Sequence, residues 1–373
     1  MAGTAVADGT VDACAFHDWP GTTTLTPYMN PTWRRLLERA SDPFGPARIK
    51  VKPLYPDPLG TWAPDTYPAS GGLPGTDYAT MRAQLLDDSS LSRVVLGYDE
   101  AFLVTAIANH YIGQQVTSAV NRWTEEEWLA RDPRLLAYIL ISSALPEEAA
   151  TEIRRAARNE RMVGVHLGAN ILGKPLGNPL YHPIYEAAAD HGIPLVLQVG
   201  SDYNAPDLFC PPPGGPMATV GEFRALEARP LASHVISMIS QGVFEKYRDL
   251  KVLLVGGGVA WVPDAVWRAD YRFKSMAHEV PWLRRQPSEY FLEHVRMTTY
   301  GLEVPDGAAL GPVLRSLPGL DDTIVYASGY PRRDWQRPTD VAPLFDGFGT
   351  EQIFRRTAED LFGSGRSAAT KED

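Results

Sequence analysis

Short runs dense in branched aliphatic and aromatic residues recur eight times along the chain, and segments of helical periodicity lie between them. The runs are TVDACAFH (10–17), SRVVLGY (92–98), LLAYILIS (135–142), MVGVHLG (162–168), PLVLQVG (194–200), KVLLVGG (251–257), VRMTTYG (295–301) and TIVYASG (323–329). Helical pieces include PEEAATEIRRAARNE (146–160) and HPIYEAAADHG (182–192). Gly192 closes the second, because glycine readily takes the left-handed conformation that ends a helix. Strands alternating with helices build a parallel sheet covered on both faces. Eight of them, with no internal sequence repeat, predict an α/β fold of the (β/α)8 TIM-barrel type. One domain over residues 1–363 is the simplest reading, followed by a polar tail, 364–373, that is expected to be disordered.

Two insertions rich in Pro and Gly, 51–78 and 201–223, follow presumed strand ends. In barrel enzymes the loops on the C-terminal face surround the active site. Both insertions are therefore expected there as lids or pocket walls, with surface decoration or a subunit contact as the alternative.

The 373 residues are 44% apolar and 21% charged, the balance of a globular protein with a large core. Acidic residues outnumber basic ones 45 to 35, a formal charge of −10, and no basic run is clustered. That argues against a nucleic-acid or anionic-membrane partner. Two cysteines, Cys14 and Cys210, are too few for a disulfide scaffold and suit a reducing cytoplasm. The N-terminus lacks the pattern of a signal peptide, and no apolar run reaches the roughly 18 residues of a membrane span. A cytoplasmic protein acting on a small molecule is expected.

Several phrases, in their order and spacing, resemble the amidohydrolase-related family whose type member is aminocarboxymuconate semialdehyde decarboxylase. They are DPRLLAYILISSALPEEAATEIRRA, MVGVHLGANILGKPLGNPLYHPIYEAAADHGIPLVLQVG, ISQGVFEKYRDLKVLLVGGGVAWVPDAVWRADYRF and IVYASGYPRRDW, within a match running from Val11 to Phe362. The resemblance implies a divalent metal at the top of the barrel. Its ligands would come from an Asp-x-His or His-x-His pair on strand 1, a His ending strand 5 and an Asp ending strand 8, with a supporting His or Glu on strand 6. Here those positions read Ala15 ahead of His17, then Gln198, Gly329 and Gly256, so His17 alone survives. No metal and no cofactor are expected, a rearranged site on His17 and His166 being the alternative. The two glycines also remove side chains and are expected to enlarge the pocket. A homodimer is a further implication of the resemblance.

Candidate site residues follow from the strand ends. His17 is placed in the barrel mouth, where a metal-free imidazole titrates in the range useful for proton transfer. His166 on strand 4 and Tyr330 on the strand-8 loop are the candidate assisting groups. Gln198, Asp202, Tyr203 and His234 are candidates for substrate contact. Arg332 and Arg333 are neighbours that must point in different directions, so one is available to hold a carboxylate in a bidentate grip. For each of these residues a purely structural role is the alternative.

The expected function is a metal-independent lyase, performing decarboxylation, dehydration or cyclisation on a small cyclic or aromatic carbonyl compound, in specialised (secondary) metabolism. Acid–base catalysis contributes about 10²–10⁴-fold, so such a substrate must already be activated. A metal-dependent decarboxylase or hydrolase with rearranged ligands, and a non-catalytic ligand-binding protein, are the alternatives.

Overall fold

In the computed structural model, which describes residues 8–39, 60–89, 91–99, 107, 109–167, 172–199, 218–302 and 304–363, all eight expected strands are present. They are β1 (Val11–His17), β2 (Arg93–Tyr98), β3 (Leu135–Ile141), β4 (Met162–Leu167), β5 (Leu195–Gln198), β6 (Val252–Val255), β7 (Val295–Thr298) and β8 (Ile324–Val325). They pair in parallel in sequence order. Every residue of β1, β3 and β4 is buried, which explains why these strands read as continuous apolar runs. The predicted helices form at Pro146–Ala156 and His182–Asp190. Gly192 takes φ +60° and lets Ile193 N–H reach back to the carbonyl of Ala188 at 3.1 Å.

The strand-8 run is regular over two residues rather than seven. Beyond Val325 the chain keeps company with β1 through single bonds. Ala13 N–H donates to the Tyr326 carbonyl (2.9 Å), Gly329 N–H to Cys14 (3.1 Å) and Phe16 N–H to Tyr330 (2.6 Å). These bonds close the barrel, and they carry Gly329 through φ +69°, outside strand geometry.

The interior is filled by inward side chains that need small residues opposite. Tyr138 of β3 crosses to donate its hydroxyl to the Ala13 carbonyl of β1. A Cβ on Gly164 of β4 would lie 3.0 Å from the Tyr138 ring and 3.3 Å from Val196, and one on Gly97 of β2 would lie 2.9 Å from Cys14 Sγ. Above their last paired residues, Leu96 and Ala137, β2 and β3 separate. Asn121 of the helix His110–Trp123 fills the gap, accepting from Leu140 N–H (2.8 Å) and donating to its carbonyl (3.0 Å).

The described part of the first insertion lies on the C-terminal face. Trp62 forms an antiparallel bridge with Arg332. Ala63 N–H donates to Pro331 (3.1 Å), Arg333 N–H to Thr61 (3.0 Å), and Asp18 N–H to Gly75 (3.0 Å). Residues 51–59, most of the second insertion (201–217) and the tail from 364 lie outside the described residues. Among the described residues no helix is long and apolar enough to cross a membrane.

Gly164→Val tests the interior packing. The added side chain must displace the Tyr138 ring, so urea denaturation is expected to show a loss of about 1–3 kcal/mol, the usual range for overpacking a filled core.

Candidate functional site

Side chains alternate across a strand, so the facing of β1 decides which of its residues belong to the site. His17 faces outward. Its ring stacks on Trp123 at 5.6 Å and meets the edge of Trp128 at 5.2 Å; both belong to the helical segment outside the barrel. Nδ1–H donates to the Gly97 carbonyl (2.8 Å), and the Thr124 hydroxyl donates to Nε2 (2.9 Å). The carbonyl fixes the tautomer, since it can only accept. Burial pushes the pKa down to about 4. The expectation that His17 stands in the mouth is corrected: it is a buried neutral ring with both nitrogens engaged in holding β1 against the helix. Cys14 and Phe16 take the inward positions.

His166 is inside the barrel wall. It shares a face with Gly164, meets Tyr138 edge-on at 6.2 Å, and is pushed down to about pKa 3 by burial. The Tyr98 ring lies in the gap between β2 and β3, 4.9 Å from His17 and 5.9 Å from His166. It therefore separates the two histidines that the sequence placed together. Gln198 ends β5 two residues beyond Val196, the register partner of His166. It is 2% exposed, and its amide oxygen accepts no hydrogen bond among the described residues.

The centre of the C-terminal face is made by residues that the sequence reading passed over. Tyr300, two positions past β7, packs edge-to-face on Phe16 at 5.8 Å. A Cβ on Gly329 would fall 2.1 Å from the Tyr300 ring, and one on Gly256 would fall 2.6 Å from Val199 and 3.4 Å from Tyr300. The two glycines do not enlarge the pocket; the Tyr300 ring occupies the space they leave. Beside it Arg332 lies over the Phe16 ring at 5.8 Å and is ion-paired with Asp99, which directly follows β2. The Arg332 side chain is 17% exposed and Asp99 1%. Arg332 Nε–H is buried with no partner among the described residues. Burial works against the charged guanidinium, but the neighbouring Asp99 and Tyr300 outweigh it and raise the Arg332 pKa. Arg224 and Glu227 are paired at 3.3 Å; Arg332 and Tyr300 are close enough to act on the ionisation of Arg224, and Glu227 on that of Tyr300. Arg224 and Glu227 line a cavity of about 210 Å³ with Gly256, Gly258, Trp261 and Gly301 at the ends of β6 and β7.

The remaining candidates are dispersed. The Tyr330 hydroxyl donates to Gln84 Oε1 at 2.7 Å and its ring meets Trp335 edge-on, so it is committed to the wall. Arg333 is exposed and donates to the Gly60 carbonyl at 3.2 Å; of the adjacent pair only Arg332 turns inward. His234 is buried on the helix Arg229–Ser240 and accepts from Leu176 N–H at 3.3 Å. Asp202 and Tyr203 lie outside the described residues. Asp99 and Tyr300 had a readable signal, since Asp99 directly follows the predicted strand 92–98 and Tyr300 stands near the end of the predicted strand 295–301, the ends where barrel sites form.

These residues do not fit the divalent ion that the fold implies. A catalytic metal needs three or more convergent N, O or S donors. The positions that the resemblance singles out carry Ala15, Gln198, Gly256 and Gly329, the imidazole of His17 points away, and no three His, Cys, Asp or Glu residues converge among the described residues.

The His17 ring makes stability depend on pH with a defined sign. Its folded pKa of about 4 lies below the ordinary 6.5, so its contribution is complete above pH 6.5 and is lost as pH falls toward 4. The loss is about 3 kcal/mol at 1.36 kcal/mol per pKa unit. Urea midpoints measured across that window are expected to fall for the native chain and to fall correspondingly less for His17→Gln.

A sequence model described as amidohydrolase matches residues 51–364. No curated protein matches the chain. Among solved structures, 5-carboxyvanillate decarboxylase from Sphingomonas paucimobilis is similar at 20% identity and TM-score 0.64, over 94% of this chain and 98% of that one. A dihydroxybenzoic acid decarboxylase from Polaromonas sp., solved with manganese and 2-nitroresorcinol, is 17% identical with TM-score 0.64, over 98% and 100%. An amidohydrolase from Mycobacterium avium subsp. paratuberculosis is 18% identical with TM-score 0.69, over 96% and 100%. The match to the sequence model spans most of the chain and the fold agrees with it: this protein belongs to the amidohydrolase family.

Proposed function

We propose that the protein is a lyase that removes carbon dioxide from a small ring compound bearing a carboxylate, using acid–base chemistry without the divalent ion. The observation that carries this reading is Arg332. It is a largely buried cation, held by Asp99 on one side, with an Nε–H that has no partner among the described residues. A guanidinium fixed in this way presents its remaining donors to a carboxylate at little cost in side-chain entropy. Phe16 and Tyr300 supply aromatic surface for a ring beside it. The Gln198 amide oxygen is an open acceptor for a ring hydroxyl. The cavity of about 210 Å³ at the ends of β6 and β7 is lined by Arg224, Glu227, Trp261 and a run of glycines rather than by these four residues, and it approaches them at Gly256, which lies against the Tyr300 ring; its size would take a single aromatic ring, since an engineered cavity of about 150 Å³ holds benzene. Decarboxylases of carboxylated phenols among the structural relatives agree with this choice.

His166 takes the part of a neutral orienting group one layer deeper, because an imidazole at about pKa 3 is a poor base. The substrate must carry its own activation, such as a hydroxyl adjacent to the carboxylate that delocalises the developing charge.

The test is release of carbon dioxide from 2,6-dihydroxybenzoate and 5-carboxyvanillate, before and after exhaustive chelation, with metal content measured by plasma mass spectrometry. Turnover is expected to survive chelation in a metal-free protein. Stoichiometric zinc or manganese, or turnover abolished by chelation and restored by manganese, overturns the reading. Arg332→Lys, which keeps the charge but loses the planar fork, is expected to raise KM about 10-fold, the loss of one charged hydrogen bond.

A further inference from the structure

We infer that Tyr300 is the catalytic proton donor of this site, delivering its phenolic proton to the ring carbon that bears the departing carboxylate. The inference rests on the decarboxylase reading above and adds to it the group that must supply the proton.

The other buried tyrosines on this side of the barrel spend their hydroxyls on the protein. Tyr98 donates its hydroxyl to the Tyr138 carbonyl, Tyr138 to Ala13, Tyr326 to Gln336 and Tyr330 to Gln84. Tyr300 is 7% exposed, yet its hydroxyl makes no hydrogen bond with any described residue, although Arg332, Asp99 and Glu227 are all close enough to act on it electrostatically. The hydroxyl oxygen is not sealed from solvent, so a ligand entering there can take the hydrogen bond that water otherwise accepts.

Its backbone is held from both sides. The Thr298 hydroxyl donates to the Tyr300 carbonyl at 3.0 Å and accepts from Gly256 N–H at 3.1 Å. The Thr299 hydroxyl accepts from Ala327 N–H at 3.0 Å. The ring is clamped between Phe16 and the side-chain-free surfaces of Gly256 and Gly329. A reacting group fixed on this scale contributes through orientation as well as through its proton.

The chemistry balances without any co-reactant. The phenolic O–H bond breaks and its proton forms a new C–H bond at the carboxylate-bearing carbon of an electron-rich ring. The C–C bond to the carboxylate then breaks, its electron pair returns to the ring, and carbon dioxide leaves. Tyr300 remains as a phenolate facing Arg332 and takes a proton from water to complete the cycle. Burial raises the phenol's pKa and outweighs the opposing pull of Arg332, so the proton is in place at neutral pH; the step therefore relies on orientation and on an electron-rich ring, with the guanidinium offsetting part of the cost of the anion left behind.

Tyr300→Phe preserves the ring packed between Phe16 and Gly329, so the variant is expected to fold. With whichever of 2,6-dihydroxybenzoate and 5-carboxyvanillate the native protein turns over, kcat is expected to fall about 10²–10⁴-fold, the usual contribution of a general acid. Calorimetric affinity is expected to stay within about 3-fold, because the variant keeps every carboxylate contact. A second readout is deuterium exchange from heavy water into the ring of the decarboxylated product, expected with the native protein and absent with the variant. A Tyr300→Phe protein with kcat near the native value, or with intact exchange, overturns the inference and leaves the decarboxylase reading standing. A native protein that turns over neither compound overturns both.

Discussion

Closing a barrel requires its last strand to meet its first, and here that seam determines everything above it. Asp12, fully buried at the start of β1, accepts from its own Cys14 N–H (3.0 Å) and from Ser328 N–H (2.9 Å) across the seam. Burial raises its carboxyl to about 6, against the pull of these donors. With the backbone bonds from Ala13, Phe16 and Gly329, this carboxylate fixes where strand 8 stops being a strand. The same bonds set Phe16 inward, turn the chain at Gly329 and bring Arg332 back over the Phe16 ring toward Asp99. The site follows from the way the barrel is joined.

The proposed centre rests on a guanidinium and a phenol, which impose different chemistry from a divalent cation. A metal tolerates several ligand geometries and polarises whatever binds it. Arg332 is directional, and burying it is favourable only because Asp99 compensates its charge. The pair is therefore a fixed, charge-balanced wall whose unspent donor is the Arg332 Nε–H, while the aromatic rings of Phe16 and Tyr300 keep the centre apolar. A charged intermediate in that setting is stabilised from one side only, which favours reactions whose charge spreads into a ring over those that place a hydroxide on a carbonyl.

The sequence made the architecture plain because eight apolar runs separated by amphipathic segments have few other ways to bury their surface. It misled about the site for a local reason. The register between β1 and β2 shifts between Asp12 and Ala15, and a one-residue shift in strand parity exchanges the two faces. Ala15-Phe16-His17 read as a ligand pair with one loss, whereas Phe16 and Cys14 hold the interior positions and His17 packs on Trp123 and Trp128. Gly256 and Gly329 likewise read as missing side chains. Only in three dimensions does a residue 44 positions beyond the first and 29 before the second, Tyr300, take their place. That one of the two arginines turns inward was legible because a strand-8 loop in a barrel faces the mouth; the partner of Arg332, Asp99, 233 residues away, was not.

The contact between Tyr300 and Gly329 also limits what either position can hold. A carboxylate placed at position 329 would have to accept φ +69° and would put its first carbon 2.1 Å from the Tyr300 ring, both unfavourable for any residue with a side chain. Removing the ring first would open a void between Phe16 and two glycines. Neither position can therefore change alone without passing through a less stable protein. The tyrosine and the glycine constrain one another across the barrel mouth, so substitutions at 300 and 329 are expected to be tolerated only together.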